Sequence, residues 1–126
     1  MNEQIKAEWL AALRSGEYPQ GKNQLRTKWG YCCLGVLCDI HAKAGLGEWS
    51  TDEYRSYVYL GDSQLPPSSV ITWAGLGIAA TPYIAGQAIT VLNDGCESYD
   101  EDEEIDVIIV SPHTFAEIAD LIEAHL

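Results

Sequence analysis

Apolar positions recur three and four residues apart at both ends of this chain and run almost without a break through residues 33–40. Near the start, Ile5, Trp9 and Leu13 fall on one helical stripe with Leu10 beside them, predicting a helix over about 3–14. Asn2 is placed to cap it, Glu3 suits its positive end, and Ser15-Gly16 marks its stop. Residues 31–44 predict a second helix, apolar nearly all round at its start, with Leu34, Leu37, Cys38 and His41 on one face. That breadth predicts a central, buried helix. Gly35 inside it costs about 1 kcal/mol relative to Ala, which implies close approach of another backbone. Gly45 is its natural terminator.

Between these helices, residues 17–30 combine turn formers with positive charge and read as an irregular loop. Aromatic and β-branched content predicts strands at 54–60, 87–92 and 105–110. The last two are expected to pair as a hairpin. Pro67 opens a short helix through Ser68, Val70, Ile71 and Trp73, closed near Gly75. Asn93-Asp94-Gly95 reads as a tight turn supplying positive φ. At the C-terminal end, Phe115, Ile118, Ala119 and Ile122 form a core stripe. Thr114 with Glu117 makes a capping box, and Ser111-Pro112 offers a start one turn earlier. The expected architecture is α+β: one globular domain over 1–126, with three to four helices packed on a small antiparallel sheet or hairpin.

Composition supports a folded domain, at 47% hydrophobic and 21% charged residues. No apolar run approaches the ~20 residues that span a bilayer. The N-terminus, MNEQIKAEWL, lacks the basic start and apolar core of a signal peptide, so a cytoplasmic location is expected. Charge is divided unevenly. Residues 1–44 carry six cations against four acids, net +2; residues 45–126 carry Arg55 alone against fifteen acids, net −14. The total of −12 disfavours direct nucleic-acid binding and anionic membrane surfaces, and favours a partner with a cationic face.

The blocks WLAALRSGEYPQ, YCCLGVLCDI, LPPSSVITWAGL, LNDG and TFAEIADLIEAHL occur here in that order. In this the chain resembles a family of small proteins encoded by tailed bacteriophages and prophages. YCCLGVLCD is the most specific piece, because adjacent cysteines in an apolar helix are unusual. This chain departs from the pattern by carrying the acidic stretch and IDVIIV between LNDG and the last helix. The resemblance implies a phage accessory protein acting in a bacterial host cytoplasm. It brings no catalytic residue and no cofactor.

Three sets of residues carry candidate chemistry. Lys22, Arg26 and Lys28, interleaved with Trp29 and Tyr31, have the makings of a cationic pocket with aromatic walls. Such a pocket pairs phosphate with charge and stacks a base on a ring, which suits a nucleotide, including a signalling nucleotide of host defence. Eight acids between 94 and 106, among them Glu97, Asp100, Glu101, Asp102, Glu103 and Glu104, predict an extended, solvated loop. These suit a host protein partner or imitation of nucleic-acid phosphates; the EF-hand register fails from any starting acid. Cys38 and His41 lie three apart on a helix, yet no paired Cys spacing accompanies them, so Cys32, Cys33, Cys38 and Cys96 are expected as free thiols rather than metal ligands or bridges. No nucleophile–base pair, metal triad or phosphate-cradling loop stands out. The leading expectation is a non-enzymatic phage accessory protein that binds a host component; nucleotide sequestration, nucleic-acid mimicry and a small enzyme are the alternatives.

Overall fold

The computed structural model describes residues 1–77, 82–84, 87–100 and 105–126, and within 96–100 and 105–110 the backbone alone. Among these residues the order is α1 (Glu3–Arg14), β1 (Arg26–Thr27), β2 (Gly30–Tyr31), α2 (Cys33–Lys43), β3 (Trp49–Thr51), β4 (Tyr57–Tyr59), α3 (Ser68–Ala74), β5 (Tyr83–Ile84), β6 (Gln87–Ala88), α4 (Ile89–Asp94), β7 (Cys96–Asp100), β8 (Ile105–Val110) and α5 (Phe115–His125). The fold is α+β. Its described strands form four separate antiparallel pairs, each joining neighbours in sequence.

Helix α2 is the axis of the core. Cys33 through Cys38 are all buried, and the indole Nε1 of Trp9 on α1 donates to the Cys33 carbonyl at 2.9 Å. Helix α1 packs on α2 and α5, burying Ile5, Trp9, Leu10 and Leu13. Ile118, Ala119 and Ile122 of α5 complete the centre with no exposed surface. Each of the two isoleucines contributes about 1.5–3 kcal/mol by leaving water. The expected caps are present: Asn2 Oδ1 accepts from Ile5 N at 3.0 Å, and Thr114 and Glu117 form the reciprocal box. The alternative start at Ser111-Pro112 is therefore not used.

Gly35 is where α2 meets the incoming chain. A Cβ there would stand 1.7 Å from the Leu25 carbonyl oxygen, so only glycine admits this approach.

Five expectations need correction. Residues 87–92 are not one strand: β6 ends at Ala88 and α4 begins at Ile89. The β-branched run favours extension locally, but Ile89, Leu92 and Asn93 fall on one helical face and are buried against α2 and α5. Tertiary burial overrides propensity here. Asn93 and Asp94 are consequently helical, and positive φ falls on Gly95 alone (82°). Residues 105–110 pair not with 87–92 but with Cys96–Asp100, so the first part of the acidic stretch is strand rather than loop. Finally, the strand predicted over 54–60 is confined to Tyr57–Tyr59, because Asp52 Oδ1 accepts from the backbone N–H of Tyr54 and of Ser56, both at 2.9 Å, and bends 52–56 into a turn. The predicted helix over 31–44 also starts late, at Cys33, with Tyr31 in β2.

Candidate functional site

The loop read as irregular is tied down at almost every residue. Tyr31 N donates to Pro19 O at 2.8 Å, Gly21 N to Tyr31 O at 2.7 Å, Leu25 N to Ser63 O at 2.8 Å, and Cys32 N to Leu25 O at 3.1 Å. Its far side is held by Asn93, which is completely buried. The Asn93 Oδ1 accepts from Cys33 N and from Gln20 Nε2, both at 3.2 Å, while its Nδ2 donates to Gly21 O at 2.9 Å and Asp94 Oδ1 at 2.7 Å. Asp94 Oδ1 accepts in addition from Asn23 N at 3.1 Å. Gln20 reaches on to α5, donating to His113 O at 2.8 Å and accepting from Phe115 N at 3.0 Å. Backbone that is prepositioned in this way spends little entropy on ordering when a ligand arrives.

On that base, β1 and β2 pair Arg26 with Tyr31 and Thr27 with Gly30. The connection Lys28-Trp29 projects outward, with Trp29 N donating to Thr27 Oγ1 at 3.1 Å. The β3–β4 hairpin lies alongside β1. The Arg26 guanidinium is surrounded by three rings, 4.2 Å from the centroid of Tyr57, 5.0 Å from Tyr31 and 5.4 Å from Trp49. Contacts of this kind are worth about 0.5–2 kcal/mol each, depending on desolvation. They hold the cation in place while leaving the in-plane N–H fork for a ligand. Trp29 stands 75% exposed at the rim, with the Lys28 ammonium 4.8 Å from its ring centroid.

Together these groups border a cleft of about 400 Å³, lined by Lys22, Arg26, Lys28, Trp29, Arg55 and Tyr57. Asn23, Gln24, Thr27 and Ser56 complete a neutral polar wall, and among the described residues the lining holds no acid. Four of the seven cations of a chain with net charge −12 thus meet at one place. The other three are engaged elsewhere: Arg14 pairs with Asp120 at 2.8 Å and Glu123 at 2.7 Å, Lys43 with Asp39 at 3.4 Å, and Lys6 Nζ donates to Glu123 O at 3.2 Å. Among the described residues, none of the four cleft cations has a carboxylate within ion-pair distance.

Of the residues picked from sequence, Lys22, Arg26, Lys28 and Trp29 come together. Tyr31 does not line the cleft. It lies behind Arg26, edge-on to Tyr18 at 5.1 Å and to Trp49 at 6.0 Å, so it positions the cation rather than receiving a ligand. Arg55 and Tyr57 were missed, although Arg55 is the lone cation of an acidic half and that singularity was a signal. Arg55 takes a left-handed conformation (φ 61°) at the tip of the β3–β4 turn, which the Asp52 side chain stabilises. Among the acids, Glu97 and Asp100 fall on β7, whereas Glu101, Asp102, Glu103 and Glu104 lie outside the described residues.

The described thiols offer no second site; the Cys96 side chain lies outside what the structure describes. Cys32, Cys33 and Cys38 are buried and free. Burial pushes Cys32 up to about 11 and holds Cys33 and Cys38 well above the ordinary thiol range, so none of the three carries a thiolate at neutral pH. His41 Nδ1 is hydrogen-bonded to the Tyr59 hydroxyl at 2.5 Å, and its ring meets Trp73 edge-on at 5.0 Å. That makes it a core histidine, with its pKa lowered by burial. Among the described residues no cluster of three metal-ligating side chains occurs, and no helix is long and apolar enough to cross a membrane.

Residues 1–126 match a family described as a domain of unknown function, DUF8296. No curated protein and no solved structure matches the chain.

Proposed function

The chain belongs to the DUF8296 family, and from that starting point we propose that it is a non-enzymatic phage accessory protein that binds a host nucleotide in the basic, aromatic cleft, within the host cytoplasm. One observation carries this reading: Lys22, Arg26, Lys28 and Arg55 converge on a cleft that no acid lines among the described residues, while every other cation is already engaged. Like charges gathered at one place repel one another, and an anion filling the site relieves that repulsion. The volume falls in the range of single small-ligand pockets, about 300–1,000 Å³, and Trp29 adds an exposed aromatic face. Among the described residues the cleft lining has no cysteine, histidine or carboxylate, which favours capture over turnover.

Isothermal calorimetry against mono-, di-, tri- and cyclic nucleotides tests the proposal. Binding is expected, with Arg26→Ala weakening it by about 1.5–3 kcal/mol through loss of charged hydrogen bonds. A flat panel rules it out. Turnover of a bound nucleotide, abolished by one point substitution, would instead make the protein an enzyme.

A further inference from the structure

We infer that the ligand of this cleft is a nucleoside polyphosphate, its phosphates spread across Arg26, Lys22, Lys28 and Arg55 and its base stacked on Trp29; the inference rests on the nucleotide reading above. The cleft holds four formal positive charges, so the remainder of the chain carries −12 − 4 = −16. Beyond about 8–10 Å that repulsive remainder is screened at ordinary salt, while groups inside the cleft interact at contact. A ligand gains by placing many charges within the cleft and few outside it. A monophosphate, with two charges at most, leaves cations unanswered. A di- or triphosphate answers them within a compact body.

The origins of the cations point the same way. Arg26 is fixed by its three rings on β1, Lys28 sits in the β1–β2 connection, Lys22 precedes β1, and Arg55 caps a separate hairpin. Charges delivered from two places, the 22–28 segment and the β3–β4 turn, suit a chain of phosphates better than a single tetrahedral group. A volume of about 400 Å³ lies near the small end of ligand pockets and suits one nucleotide better than a cyclic dinucleotide. Trp29 is 75% exposed on the rim and lies against Lys28. Stacking a base there is worth about fivefold to a hundredfold in affinity.

Calorimetry in EDTA at low and physiological salt would compare AMP, ADP, ATP, inorganic tripolyphosphate and cyclic di-AMP on the wild type, Trp29→Ala and Arg55→Gln. Both substitutions are at exposed positions, and thermal melts check that the fold is kept. Affinity is expected to rise about three- to tenfold per added phosphate at low salt and to flatten as salt increases. ATP should exceed tripolyphosphate, and Trp29→Ala should erase that gap while leaving tripolyphosphate affinity unchanged. Arg55→Gln should weaken ATP more than AMP. Equal affinity for AMP and ATP, tighter binding of cyclic di-AMP, or tripolyphosphate matching ATP on the wild type would each overturn the inference; the first two would leave the nucleotide reading standing. Silence from every ligand would remove that reading itself.

Discussion

Substituting Gly35 by Ala sets two physical effects against each other with opposite sign. In a free helix interior the change stabilises by about 1 kcal/mol. Here the new Cβ would sit 1.7 Å from the Leu25 carbonyl oxygen and 2.6 Å from its carbon. Carbon–oxygen contacts do not ordinarily close below about 3.3 Å, so the two backbones must separate by roughly 1.6 Å. Neither has room to yield. Leu25 is fully buried, its N–H is bonded to Ser63 O at 2.8 Å, and its carbonyl receives Cys32 N at 3.1 Å. No side-chain rotation relieves a clash with backbone. Overpacking of a tight core costs about 1–3 kcal/mol and occasionally more. A clash between two clamped backbones lies at the upper end of that range, about 3 kcal/mol, so with the helical gain subtracted a net loss of about 2 kcal/mol is expected. Urea denaturation followed by far-UV circular dichroism measures it as a lowered midpoint. A midpoint unchanged or raised would show that Gly35 is not a packing point and would refute the reasoning.

Further outcomes follow from the same packing. Asn93→Ala strips the buried Gly21 O and Cys33 N of partners and should cost about 2–4 kcal/mol by chemical denaturation; a loss below 1 kcal/mol would mean water replaces the amide. His41 has a lowered pKa in the fold, so the unfolded chain binds its proton first as pH falls below the ordinary 6.5. Stability should therefore decline on acidification through that window, and a difference of slope between wild type and His41→Gln measures the contribution. Cys32, Cys33 and Cys38 should resist iodoacetamide in the native protein and react together on unfolding, as read by peptide mapping; native labelling of any one of them contradicts its burial.

Sequence made local features legible in proportion to how far local physics decided them. Helices α1 and α5 announced themselves by stripe and cap, and α3 by Pro67 and Gly75, because each signal lies within one or two turns. Helix α4 was hidden: its ITV run favours a strand, and only burial on α2 and α5 makes it helical. The close approach at Gly35 was readable, but its partner, Leu25, was not. In the cleft, Lys22, Arg26, Lys28 and Trp29 were found because they share one short segment. Arg55 and Tyr57 come from a hairpin thirty residues away, and no local rule ties them to Arg26. Gln20 and Asn93 gave no signal as a pair, since a hydrogen-bonded staple between distant residues has no periodicity.

That staple bears on which segment tolerates change. The chain departs from the core after Asp94, which holds Asn23 N, and comes back at His113, whose N–H is bonded to Leu92 O at 2.7 Å and whose carbonyl is gripped by Gln20. Both feet stand on a rigid socket, and among the described residues β7 and β8 pair only with each other. Doubling the span between clamped ends adds only about 0.6 kcal/mol of closure entropy. A segment of other length or charge should therefore be accommodated there, while the basic cleft on the neighbouring loop keeps its shape.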